Sequence, residues 1–200
     1  MPDSRNKIVL ASNNAGKIKE INTLLAQQNF EIVPQKAFTS EEAVEDGLSF
    51  VENAIKKARF AAKASGLPAI ADDSGIEVDV LDGQPGIYSA RYAGNNATDQ
   101  ENVEKLLDAL ADIPGEQRSA RFQCLMVYLR HENDPVPVIC QGSWEGKILT
   151  SPQGENGFGY DPVFFVPEEN CSAAELTAAK KNSLSHRGKA LQQLVEKLTG

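Results

Sequence analysis

Cysteine is scarce in this chain of 200 residues: Cys124, Cys140 and Cys171 are the only three, and no two share a CxxC spacing. An odd, scattered set argues against a disulfide framework or a zinc site and suits a reducing compartment, so a cytoplasmic location is expected. Long apolar runs are missing too, and no segment approaches the length that spans a bilayer. Residues 1–7 lack the apolar stretch of a secretory signal. Positive charge is the next shortage, with 20 Lys and Arg against 28 Asp and Glu, a formal net charge of −8. Such a chain is not expected to bind nucleic acid broadly, because that requires a basic surface to displace counterions. A small anionic ligand is still compatible, provided that a few cations cluster or a bound metal ion adds charge. Neither the Walker spacing GxxxxGK[ST] nor GxGxxG occurs, which removes P-loop kinases and dinucleotide-binding dehydrogenases.

What the chain does have is enough to build a core, since 41% of its residues are apolar and 24% charged. Its length suits one domain over residues 1–200, with two lobes around a cleft compatible with that size. Residues 7–11 read as a buried strand followed by a polar turn and a helix with Ile18, Ile21, Leu24 and Leu25 as its stripe. Ser49 and Glu52 form a capping box ahead of a helix with Ala54, Ile55, Ala58 and Ala62 on one side and Gly66 as its stop. Ala69-Ile70-Ala71 reads as a short strand ending in Asp72-Asp73-Ser74-Gly75, after which Ile76, Val78 and Val80 alternate with acids. Thr98 and Glu101 open another helix, with Val103, Leu106, Leu107 and Leu110 at helical spacing. Residues 120–130 and 136–144 form a β-rich hairpin, with Trp144 expected in the core, and Leu191, Leu194, Val195 and Leu198 mark a closing helix. Helices and strands alternate before a hairpin, so the class is α/β with a mixed, twisted sheet flanked by helices.

Several segments carry chemistry. Ser12-Asn13-Asn14-Ala15-Gly16-Lys17 is a polar turn into a helix, where free amides, the helix dipole and an ammonium group favour a phosphate. Taken alone, such a segment is more often a simple cap. Asp72 and Asp73 are costly beside an apolar strand unless cations pair with them or they face a cleft. Were the strand to stay extended through both, successive side chains would point to opposite faces, leaving one for a ligand and one for support. Glu45, in an acidic stretch that reads equally as a solvated loop, offers an oxygen ligand for a hard cation such as magnesium. Lys56, Lys57, Arg59 and Lys63 ordinarily keep a helix soluble, although one of them could reach a phosphate. Gly157-Phe158-Gly159-Tyr160-Asp161-Pro162 has the ingredients for stacking on a base and bonding its edge, or for a tight turn. Lys180, Lys181, His186 and Arg187 gather four basic side chains, of which Ser185 as a helix cap explains only part.

Together these segments resemble the inosine triphosphate pyrophosphatase family, also described as dITP/XTP pyrophosphatases, over nearly the whole chain. The likeness rests on an ordered set: the turn from Ser12 to Lys17, Phe50-Val51-Glu52-Asn53-Ala54 with Lys57-Ala58, Ala71-Asp72-Asp73-Ser74-Gly75, Pro85-Gly86-Ile87-Tyr88-Ser89-Ala90-Arg91, Gly157-Phe158-Gly159-Tyr160-Asp161-Pro162 and Ser185-His186-Arg187-Gly188. The resemblance implies two lobes around a central nucleotide-binding cleft, a homodimer, a Mg2+ requirement, and hydrolysis of ITP, dITP and XTP to the monophosphate and pyrophosphate. By position, Ser12, Asn13, Asn14, Ala15, Gly16 and Lys17 would hold the triphosphate, Glu45 and Asp73 the metal, and Lys57 a phosphate oxygen. Asp73, or Asp72, would be the base. Ser74, Phe158, Gly159, Tyr160, Asp161, Lys181, His186 and Arg187 would bind the nucleotide, mostly around its base. One departure is Asn13, where the family often has glycine; asparagine tolerates left-handed backbone better than most residues, so the loop shape is expected to survive. Rival readings are a non-catalytic nucleotide sensor, or a pyrophosphatase for modified pyrimidine or standard nucleotides on a related fold.

Overall fold

The computed structural model describes residues 6–25 and 30–199; residues 1–5, on which the reading of the N-terminus partly rests, and the side chain of Leu24 lie outside them. The elements run β1 (Asn6–Leu10), α1 (Ala15–Leu25), β2 (Phe30–Pro34), α2 (Phe50–Ser65), β3 (Ala69–Val78), α3 (Asp99–Ala109), β4 (Ser119–Leu129), β5 (Val138–Ile148), β6 (Phe164–Val166), β7 (Cys171–Ser172), α4 (Ala178–Leu184) and α5 (His186–Thr199). The seven strands form one sheet in the order β2-β1-β3-β4-β5-β6-β7, parallel where β1 meets β2 and β3 and antiparallel where β6 meets β5 and β7. It is the α/β class with a mixed sheet that the alternation of segments implies. Among the described residues no helix is long and apolar enough to cross a membrane.

The chain divides into two compact units, one of residues 1–73, 124–141 and 187–200, the other of 74–123 and 142–186. In the first, Ile8, Val9 and Leu10 of β1 are apolar and buried in succession because helices cover both faces of the strand. Ile8, Leu10 and Ile70 pack with Ile21 and Leu25 of α1 and with Ala190, Leu191 and Leu194 of α5. On the opposite face, Val9, Ala69 and Ala71 meet Ala54, Ala58, Ala61 and Ala62 of α2, small side chains that let the helix lie close to the strands. Ser49 caps α2 by accepting from the Glu52 amide, and Gly66, at φ 69°, ends it in a left-handed turn that a side chain would strain. The expected reciprocal bond is displaced by one residue, because the Glu52 carboxylate accepts from Leu48 N–H and the Ser49 hydroxyl.

Two expectations are corrected here. The strand does not stop at Asp72; β3 runs from Ala69 through both aspartates to Val78. It can continue because each carboxylate meets a cation from a flanking helix. Val80 does not extend the alternation either, for it lies in a 3-10 turn and is 40% exposed.

In the second unit, Thr98 and Glu101 make a complete capping box at the head of α3. Val103, Leu106 and Leu110 then pack with Phe122, Trp144 and Phe164. Trp144 is buried as expected, its ring centroid 5.2 Å from that of Phe164.

Candidate active site

Because β3 stays extended, its alternation assigns the two aspartates to different faces. Asp73 shares the face of Ala69 and Ala71 and meets α2: its Oδ1 accepts from Lys57 Nζ at 2.7 Å and its Oδ2 from Asn53 Nδ2 at 3.3 Å. Lys57 also lies 3.4 Å from Glu45 Oε1, so one ammonium group bridges two carboxylates. Burial pushes the Asp73 carboxyl up, and the Lys57 ammonium offsets this only in part, so its proton affinity stays above the ordinary range. Burial pulls Lys57 the other way, yet Asp73, Asp72 and Glu45 together outweigh it and keep the lysine firmly protonated.

Asp72 shares the face of Ile70 and meets α1 and α5. Its Oδ2 receives Lys17 Nζ at 3.0 Å and the Arg187 Nε and Nη2 at 3.4 and 3.3 Å. Burial alone would raise its carboxyl; Lys17, Arg187 and Lys57 overcome that and hold it well below the usual carboxylate range. The two adjacent acids thus lie in opposite electrostatic surroundings, Asp72 held ionised by its cations and Asp73 with its proton affinity raised. Cys124, buried in the same cluster, has its thiol pushed up to about 12 by burial, then by Asp72, so it is no nucleophile.

The turn before α1 is built as a cap. Asn14 Oδ1 accepts from the Lys17 amide at 3.0 Å and Ser12 Oγ from the Asn14 amide at 3.3 Å. Asn13 donates from Nδ2 to Glu42 Oε1 at 2.6 Å. Among the described residues only Asp82 and Asn170 are non-glycine positions of positive φ, so Asn13 needs no left-handed tolerance after all. The turn brings Lys17, but not the exposed Asn13, to the aspartates.

The sequence reading missed Asn53. It is fully buried and carries two contacts, accepting from Gly47 N–H at 2.9 Å while donating to Asp73, which ties the acidic loop to the strand. Gly47 must be glycine, since a Cβ would stand 2.7 Å from Asn53 Oδ1. An amide residue beside Ala54, one turn before Lys57 and next to the run of alanines on α2, was the available signal.

The residues expected at the base lie mostly in the second unit and are largely occupied with holding their own loop. Asp161 is buried; its Oδ2 accepts from Phe158 N–H at 2.8 Å and from Lys181 Nζ at 2.7 Å. Gly157, at φ 80°, lets that carboxylate approach to where a Cβ would collide. Tyr160 donates its hydroxyl to the Ser89 carbonyl at 2.8 Å, and Gly159 N–H donates to Asp99 at 2.7 Å. Lys181 Nζ lies 4.8 Å from the half-buried Phe158 ring. His186 is buried and stacked on Phe122 with centroids 4.7 Å apart. Arg187 belongs to the first unit, where Asp72 and Glu20 hold it.

Among the described residues no three His, Cys, Asp or Glu side chains gather as a metal cage. Glu45 and Asp73 nevertheless suit magnesium, which takes oxygen donors and is ordinarily held by one or two carboxylates, with water and substrate phosphates completing the shell.

Comparison with known proteins agrees with the fold. A dITP/XTP pyrophosphatase of Vibrio parahaemolyticus is 60% identical over 193 residues, covering 96% of both chains. A dITP/XTP pyrophosphatase of Escherichia coli O157:H7 is 58% identical over 192 residues, covering 96% of this chain and 98% of that one. A solved structure of a HAM1 protein from Coxiella burnetii matches with a TM-score of 0.90 at 50% identity, covering 97% of this chain and 98% of that chain. The Staphylococcus aureus Ham1 protein follows at 0.85 and 40% identity, covering 96% and 98%. Residues 8–197 match the model of the Ham1 family, and the chain belongs to that family.

Proposed function

We propose that this chain hydrolyses non-standard purine nucleoside triphosphates, ITP, dITP and XTP, to the nucleoside monophosphate and pyrophosphate, clearing deaminated purines from the nucleotide pool. Relatives named dITP/XTP pyrophosphatase at 58% and 60% identity support it. The observation that carries the mechanism is the Asp73, Lys57 and Glu45 cluster, in which a buried carboxylate with raised proton affinity lies against a protonated amine.

In this reading a water molecule attacks the α-phosphorus and Asp73 accepts its proton, a task suited to a carboxylate whose proton affinity is raised by burial. Magnesium, when held by Glu45 and Asp73, would neutralise polyphosphate charge. Lys57 and Lys17 stabilise the charge that develops on the departing pyrophosphate, with amides at the start of α1 adding to them. Asp72 takes no proton and serves by holding Lys17. On the base side, Phe158 offers the stacking ring, while Ser74, Lys181 and His186 remain the polar groups nearest that role. Gly159, Tyr160 and Asp161 act by fixing the loop. A site that offers donors to the 6-oxo edge leaves a donor unsatisfied when adenine's amino group arrives, which discriminates by about 10⁴-fold. We expect a cytoplasmic homodimer to be the working form.

The test is pyrophosphate release from inosine, xanthosine, guanosine, adenosine and thymidine triphosphates, with and without magnesium. Preferential turnover of the first two, abolished by chelation, is expected. Equal turnover of all five, or binding without release, would assign the chain to one of the rival readings instead.

A further inference from the structure

Helix α1 carries an acid that the proposed reaction does not use. Glu20 lies three residues after Lys17, its side chain is only 14% exposed, and its Oε2 accepts from Arg187 Nη1 at 2.5 Å. Arg187 is itself 2% exposed, and through Nε and Nη2 it reaches Asp72 Oδ2 at 3.4 and 3.3 Å. The same oxygen receives Lys17 Nζ at 3.0 Å. Glu20, Arg187, Asp72 and Lys17 therefore form one chain of alternating charge, two positive and two negative.

The distances rank the pairs. Arg187 lies closest to Glu20, and Asp72 lies closer to Lys17 than to Arg187. A buried guanidinium must be matched by charge. Without Glu20, Asp72 would be the only acid left to Arg187 among these four groups, and its carboxylate would be drawn away from Lys17. Buried ion pairs are poor sources of net stability compared with apolar packing, so a network of this size calls for another reason. Lys17, at the first turn of α1, is the member that supplies one.

We propose that Glu20 is a positioning residue: by neutralising Arg187 it leaves Asp72 free to fix the Lys17 ammonium at the start of α1, where the polyphosphate binds. The proposal rests on the reading of that turn as the polyphosphate site given above.

The experiment uses the full chain with Glu20→Gln and Glu20→Ala, each alone and combined with Lys17→Ala. Inorganic tripolyphosphate, which has no base, is titrated calorimetrically, and KM and kcat are measured with inosine triphosphate. Glu20→Ala should weaken tripolyphosphate and raise KM by about tenfold, the effect of misplacing one charge-assisted hydrogen bond. In the Lys17→Ala background the same change should add less than about twofold, because residues of one network are not additive. Unaltered tripolyphosphate affinity in either Glu20 variant, or a full tenfold effect without Lys17, overturns the proposal. Glu20→Gln keeps the side-chain shape and decides the matter if the alanine variant does not fold. Should inosine triphosphate prove not to be turned over, tripolyphosphate binding still reads the placement of Lys17, so failure of the enzymatic reading and failure of this one are distinguishable.

Discussion

Asp72 and Asp73 are the same amino acid at adjacent positions of one strand, and they differ in almost everything else. On one face Asp72 shares a single oxygen between Lys17 and Arg187 and holds its negative charge against any ordinary acid. On the other, Asp73 has one ammonium and one amide for company, and its affinity for a proton is raised. A strand can thus separate a fixed charge from a responsive one within a single residue step, because its side chains alternate while the helices on its two sides supply different numbers of cations.

The largest expected effect comes from removing the responsive member. Asp73→Asn keeps the shape and the Asn53 and Lys57 neighbours but cannot accept a proton, so turnover of inosine triphosphate should fall by about 10²–10⁴-fold at saturating magnesium. Retention of wild-type turnover would remove Asp73 from the chemistry and leave the comparison without meaning.

Asp72→Asn should reverse the pattern, costing fold more than chemistry. It leaves Arg187 with Glu20 and takes from Lys17 the carboxylate 3.0 Å away, and breaking a buried pair of this kind costs about 3–5 kcal/mol of unfolding free energy. Urea denaturation reads it directly, and the surviving folded fraction should lose less turnover than Asp73→Asn does. Equal losses in turnover with little change in stability would mean that both faces do chemistry.

How much of this could be read beforehand follows from how far apart the partners are in the chain. Strand β1, the caps at Ser49 and Thr98 and the stripes of α2, α3 and α5 are local patterns, legible within a dozen residues. The length of β3 is not local. Asp72 is stabilised within the strand partly by a guanidinium 115 residues away, so the sequence around it looked like a turn. Glu20 and Arg187 are separated by 167 residues, which hid their pairing behind what reads as an ordinary solvated helix face. On the base side the residue types were right but their use was ambiguous. A tyrosine hydroxyl and an aspartate in a glycine-rich loop can serve a ligand or the loop itself, and here Tyr160 and Asp161 bond to Ser89 and to Phe158 and Lys181.

The smallest effect is also the most discriminating, because the two carboxyls should respond to acid with opposite sign. Asp73 binds its proton more tightly in the fold than an ordinary aspartate of pKa 3.8, so its ionised form is a cost at neutral pH. That cost is relieved as the pH falls through its raised value toward 3.8. Asp72 binds its proton less tightly in the fold, so its stabilising contribution is complete above 3.8 and is lost only as the pH drops below that toward its depressed value. Asparagine imitates the uncharged acid in both places. Asp73→Asn should therefore be more stable than wild type at neutral pH, with the advantage closing as the pH approaches 3.8. Asp72→Asn should be less stable throughout that range, with its deficit shrinking only in stronger acid. Taking differences between variant and wild-type urea curves at each pH cancels the carboxylates far from β3, which titrate alike in all three proteins. Two difference curves of the same sign would show that both faces of β3 hold their aspartates in one electrostatic state, and the division of labour between fixed and responsive charge would then have to be abandoned.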